Sequence, residues 1–224
     1  KSVYRISVGA REIDSSKTTT KDLSILVQDT AGFAPVITSS DTFGAVENSN
    51  DSFGSITAND PNNDQLTYSS NSAEILIDSV TGIMSFANAP DYEIKSTYSA
   101  KITVTDGTYS DSQNIVVSIT NINDNYPTLV SSGSYEVTEG YKSIGSVIAT
   151  DIDGDTLTFS INSDEISIST AGALTFIEAP DYETKNAYSA VVSISDGIFS
   201  TNQNINITIL DSTNEGPPLI TTTS

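Results

Sequence analysis

The chain has 224 residues, enough for two domains of about 100 residues each. It contains no Cys and no His, which excludes a disulfide frame, thiolate metal sites, the usual zinc ligands and Ser/His or Cys/His catalysis. Lys and Arg number 9 against 29 Asp and Glu; the formal charge of −20 repels nucleic acid and anionic membranes, and suits either divalent cations or plain solubility.

No run reaches the length of a membrane span and no signal peptide is visible at Lys1, so a piece of something larger is expected. Residues 1–33 do not begin a repeat. Their Tyr4-Arg5-Ile6-Ser7-Val8 and Asp22–Gln28 match strands that recur later, at Tyr98–Val104 and Gln113–Ile119. They read as the last two strands of a preceding, truncated or divergent repeat, closed by the linker Asp29–Pro35. That linker carries few ligand oxygens.

Two full copies follow, about 34–125 and 126–217, with 218–224 starting the next linker. Ala89-Pro90-Asp91-Tyr92-Glu93 returns 90 residues later as Ala179-Pro180-Asp181-Tyr182-Glu183. Tyr98-Ser99-Ala100 returns as Tyr188-Ser189-Ala190, and Asp106-Gly107 as Asp196-Gly197. Within each copy Ala100, Ile102 and Val104, then Ala190, Val192 and Ile194, alternate with polar residues, the period of a half-buried strand. Gly, Asn, Asp and Ser clusters separate these runs at turn spacing. No stretch carries a helical period. The fold class expected is all-β: tandem seven-stranded antiparallel Greek-key sandwiches of the immunoglobulin-like kind, arranged end to end.

The acids fall at recurring strand ends. The first copy offers Glu47, Asp91 and Glu93; the joint offers Asn121, Ile122 (by its carbonyl), Asn123, Asp124 and Asn125; the second copy offers Asp151, Asp153 and Asp196. Two unit charges about 4 Å apart repel by roughly 1 kcal/mol in water and roughly 4 kcal/mol at an effective dielectric of 20. Only Lys95 and Lys185 lie near these acids in sequence, so a cation is expected among them. Dense hard oxygens suit Ca²⁺, with its six to eight ligands, better than Mg²⁺, which keeps its waters.

Val46-Glu47-Asn48, Asp91-Tyr92-Glu93, Asn121-Ile122-Asn123-Asp124-Asn125-Tyr126-Pro127, Asp151-Ile152-Asp153 and Asp196-Gly197 resemble the calcium motifs of cadherin repeats, in the variety found in bacterial surface proteins. The resemblance implies that Glu47, Asp91, Glu93 and Asp124 share the ions nearest the first copy. Asn123, Asn125, Asp151, Asp153 and Asp196 would hold the ion nearest the second. It departs from the family at Asn121, where Asp is usual, and at Asp60 and Asn62, which replace an Asp-x-Asp pair. A second joint would draw on Glu139, Asp181, Glu183, Asp211 and Glu215. The implied protein is a calcium-stiffened extracellular or cell-surface spacer or adhesion segment. Its implied partners are calcium ions, neighbouring repeats, and another surface protein or a glycan. A carbohydrate-binding or homophilic module is the alternative.

Two other readings of the acids fail. Asp151-Ile152-Asp153-Gly154-Asp155 opens like an EF-hand loop, but Thr156 and Asn162 stand where that loop needs its Gly and Glu. Asp91 and Glu93, on one loop, cannot by themselves flank a glycosidic bond. No enzyme activity is expected.

Overall fold

The computed structural model describes residues 32–212 in full and residues 2–11 and 18–27 as backbone. Residues 29–31 of the linker and the tail from 213 onward, Glu215 included, lie outside the described residues. The chain divides into two compact units, residues 1–120 and 121–224. Among the described residues every regular element is a strand.

In the first unit, β1 (Ser2–Arg11) and β2 (Thr18–Val27) form an antiparallel hairpin, with Ser2 opposite Val27 and Arg11 opposite Thr18. Nine strands follow: β3 (Val36–Ile37), β4 (Thr42–Val46), β5 (Gly54–Ser55), β6 (Ala58–Asn59), β7 (Thr67–Ser70), β8 (Ile75–Ile77), β9 (Ile83–Phe86), β10 (Thr97–Thr105) and β11 (Ser110–Thr120). One sheet runs β4-β11-β10-β7, a second β5-β9-β8, and β3 pairs with β6. The second unit repeats this order with β12 (Thr128–Leu129), β13 (Ser134–Thr138), β14 (Ser143–Ser146), β15 (Ala149–Thr150), β16 (Thr158–Ile161), β17 (Ile166–Ile168), β18 (Ala173–Phe176), β19 (Ala187–Ser195) and β20 (Ser200–Leu210). Its sheets are β13-β20-β19-β16, β14-β18-β17 and β12-β15.

The alternation read from the sequence sets the inner faces. Ala100, Ile102 and Val104 of β10 are buried with Ile115, Val117 and Ile119 of β11, against Met84 and Phe86 of β9. Ala190, Val192 and Ile194, with Ile205, Ile207 and Ile209, do the same against Leu174 and Phe176. Fully burying each such aliphatic side chain is worth roughly 1.5–3 kcal/mol.

In one respect the sandwiches are not antiparallel. β4 pairs with β11 in parallel, Val116 opposite Thr42 and Thr120 opposite Val46, and β13 pairs with β20 likewise. In a sandwich with an odd strand count the first and last strands run the same way, so as neighbours they can pair only in parallel. The first strand is also split. β3 joins β6, then the chain crosses so that β4 joins β11; the second strand is split likewise into β5, which joins β9, and β6, so nine segments make up the seven strands of each copy.

The turn before β9 fixes Gly82, and that before β18 fixes Gly172, at φ +70 and +80. A Cβ there would sit 2.3 Å from the Ile56 carbonyl oxygen or 2.2 Å from that of Val147, so only glycine fits.

Candidate metal centre

In the first unit Glu47 follows β4 and is 2 % exposed. Its Oε2 accepts the Tyr92 N–H at 2.7 Å, and the Asn48 N–H donates to the Pro90 carbonyl at 2.9 Å. The Ala89–Glu93 motif is therefore a loop docked on a buried glutamate. Docking gathers carboxylate oxygens of Glu47, Asp91 and Glu93 within 4.8 Å of one another. The second unit reproduces this with Glu139, 6 % exposed, whose Oε2 takes the Tyr182 N–H at 2.8 Å. Glu139, Asp181 and Glu183 again lie within 4.8 Å. Glu139 Oε1 also accepts the Ser212 N–H at 2.6 Å, beside exposed Asp211.

The second unit carries another set at the start of its chain. Asp151 and Asp153 follow β15 and Asp196 follows β19. Asp153 Oδ2 accepts the N–H groups of Asp124 (3.1 Å) and Asn125 (2.9 Å), and its Oδ1 accepts Asn125 Nδ2 at 3.0 Å. Asn121 Nδ2 donates to the Asp153 carbonyl at 2.7 Å, and Asn123 Nδ2 to the Asp196 carbonyl at 3.5 Å. The Asn125 amide also donates to Asp124 Oδ1 at 2.6 Å. Ile122 is 38 % exposed. The Asn-x-Asn-Asp-Asn segment is thus wrapped over Asp153 and Asp196 by its own amides.

The amide geometry leaves oxygens turned inward. Asn121 Oδ1, Asn123 Oδ1, Asp151 Oδ2 and Asp196 Oδ2 are all shielded from solvent and accept no hydrogen bond. Each buried acceptor left so costs roughly 1–3 kcal/mol. All four are hard oxygens without protons of their own, a donor set that fits Ca²⁺.

Electrostatics point the same way. Loss of solvent, and then the charges of Asp151, Asp153 and Asp196, push the Asp155 carboxyl above the usual carboxylate range. Burial opposes ionisation of Asp196, but the N–H groups of Ile198 and Phe199, each at 2.7 Å from Oδ1, hold it below the ordinary value. The nearby lysines do not serve these acids. Lys95 Nζ pairs with Glu74 at 2.6 Å and lies 4.3 Å from the Tyr98 ring centroid; Lys185 pairs with Glu165 at 2.6 Å and lies 4.2 Å from that of Tyr188.

Sequence reasoning passed over Asp155. A carboxylate oxygen of Asp155 lies within 4.8 Å of those from Asp151 and Asp153. The signal was the Asp-x-Asp-x-Asp spacing, set aside when the EF-hand pattern failed.

Each unit is a β-sandwich with one acidic loop docked on a buried glutamate, and each places groups of carboxylates at its strand ends. Comparison with solved structures identifies the fold as that of cadherin repeats. The EC1–2 fragment of human Protocadherin-24 matches with a TM-score of 0.67 and 20 % identity, over 81 % of this chain and 99 % of that one. Mouse Cadherin-23 EC22–24 matches with a TM-score of 0.71 and 17 % identity, over 94 % of this chain and 74 % of that one. Among curated sequences, human Protocadherin-23 is 28 % identical over 158 residues, 64 % of this chain, which spans 5 % of that protein's length. No family model matches the chain. None of these relatives is bacterial, so the bacterial variety has no support among them.

Proposed function

We propose that this chain is a stretch of extracellular tandem repeats from a larger surface protein, and that Ca²⁺ bound at the acidic strand ends stiffens it. The observation that carries this reading is the set of buried acceptor oxygens on Asn121, Asn123, Asp151 and Asp196, which lack hydrogen-bond donors. The cadherin-repeat fold supports it. The ligands we assign are Asn121, Asn123, Asp124, Asn125, Asp151, Asp153 and Asp196, with the Ile122 carbonyl. Glu47, Asp91 and Glu93 form a set of their own in the first unit. Glu139, Asp181 and Glu183, with Asp211 and Glu215, form the matching set for a following repeat. The repeats run 34–125 and 126–217, and β1 and β2 end an earlier one.

Such a segment is a spacer or adhesion element, not an enzyme. Extracellular modules bind Ca²⁺ with Kd values of roughly 10⁻⁴–10⁻³ M, so the ligands would fill outside a cell and empty in cytosol-like calcium. Thermal melting with calcium and with chelator tests the reading: a higher midpoint with calcium supports it, and identical midpoints refute it. A second reading, a protein- or glycan-binding module, draws on the exposed Tyr126, 61 % accessible, whose ring lies tilted at 42° to that of Phe199 with centroids 4.6 Å apart. Sedimentation and glycan-array binding with calcium separate the two; a monomer without glycan binding is expected.

A further inference from the structure

We infer that Asp155 is a direct ligand of the ion held by the second unit, so that one five-residue loop, Asp151–Asp155, supplies three carboxylates to a pocket closed by Asp196. This rests on the reading of the same unit as a calcium site. In an extended strand, residues four apart are about 13 Å apart, yet carboxylate oxygens of Asp151, Asp153 and Asp155 all lie within 4.8 Å of one another. The loop is curled to achieve this. Gly154 adopts φ +81, and the N–H groups of Asp153 and Asp155 turn back onto Asp151 Oδ1 at 3.0 and 3.4 Å.

A cluster of acids is common on surfaces, and a second feature distinguishes this one. Asp196 is 9 % exposed, and its Oδ2 is buried without a hydrogen-bond partner. The strand register aims it here: Thr158 pairs with Ser195, which sets Asp196 beside the residues leading out of the Asp151–Asp155 loop. The first unit has the same curl, with Asp60 Oδ1 accepting the N–H groups of Asn62 (2.8 Å) and Asp64 (3.1 Å) and Asn63 at φ +57. There an amide, Asn62, stands in the middle of the set where the second unit has Asp153.

Calorimetric calcium titration of the full chain, wild type against Asp155→Asn and Asp155→Ala, tests the assignment, with exposed Asp164→Asn as control. Loss of one ligand charge at about 4 Å predicts at least about fivefold weaker binding in one site for Asp155→Asn. Asp155→Ala, which also lacks the oxygen, should weaken it further. In chelator, Asp155→Asn should melt no lower than wild type, because it relieves repulsion from Asp151 and Asp153. If wild type binds calcium and both variants bind it equally well, the role of Asp155 is overturned while the calcium reading stands. Equal weakening in Asn and Ala overturns direct ligation. Wild type that takes up no calcium overturns both.

Discussion

The two repeats share a fold and one acidic loop docked on a buried glutamate, but differ in the residues carried by their curled Asp loops. The Ala-Pro-Asp-Tyr-Glu loop docks on Glu47 in one and on Glu139 in the other, through the same Tyr N–H at 2.7 and 2.8 Å. The residue after each glutamate takes the left-handed conformation, as Asn48 in one and Gly140 in the other. Asp60 and Asp151 likewise both serve as turn formers, each accepting two N–H groups from its own loop. What differs is the chemistry mounted on these turns. The second repeat has Asp153 in its curled loop and four amide or acidic residues wrapped over it from 121 to 125. The first has Asn62, and Gly32, Phe33 and Ala34 in the approaching chain. Turn chemistry sets the same backbone geometry in both copies, while the acidic and amide side chains mounted on it differ between them without a change in the sandwich.

The largest effects should be blind to that difference. Gly82→Ala and Gly172→Ala each force a Cβ against a carbonyl oxygen in a left-handed turn, where strain alone costs roughly 1–3 kcal/mol before the clash is counted. Both should lower the melting transition of their own repeat by similar amounts. A tolerated substitution at either would show that the two turns are not equivalent.

The next effect should separate the repeats. At free calcium 100-fold above Kd, one filled site adds about 2.7 kcal/mol. Asp153→Asn should remove most of the calcium-dependent rise of the second repeat, while Asn62→Ala should leave the calcium response of the first unchanged. Equal responses in differential scanning calorimetry would break the distinction.

Acid should separate them in the other direction. In the turn before Gly82, the Thr81 N–H, the Thr81 hydroxyl and the Val80 N–H, at 2.7, 2.8 and 3.0 Å, hold the Asp78 carboxyl below its ordinary value of 3.8. A depressed carboxyl stabilises the fold above the unfolded value and loses that contribution as pH falls through the folded one. The second repeat has Ser169 in this place, accepting the Ala173 N–H at 3.1 Å, with nothing to titrate. Asp78→Ser should therefore flatten the acid limb of the first repeat's denaturation profile below pH 3.8. The smallest effect is expected from Lys95→Met and Lys185→Met. Partly exposed ion pairs contribute about 0–1 kcal/mol, and the two repeats should lose equally.

Most of the fold could be read from residues. Period-two alternation names the buried faces of β10, β11, β19 and β20 because those strands are nine to eleven residues long. The parallel edge pairing and the split first strand could not, because β3, β5, β6, β12 and β15 have two residues each, too few to show a period. At the candidate site, Glu47 and Asp91 stand out by recurrence, whereas Asp153, whose counterpart is Asn62, stands out only by its Asp-x-Asp spacing. The partners of Lys95 and Lys185 do not: Glu74 and Glu165 lie on other loops, about 20 residues away, and only the folded sheet brings them near.

The most direct measurement is a residue-resolved calcium titration of the full chain by amide NMR, across and about tenfold beyond the range of roughly 10⁻⁴–10⁻³ M expected of extracellular modules. The account predicts saturable shifts at Asn121–Asn125, Asp151–Asp155 and Asp196, with the Asp60–Asp64 loop unmoved. Amides of 121–125 and 151–155 that stay fixed throughout, or that move no more than those of 60–64, would contradict it.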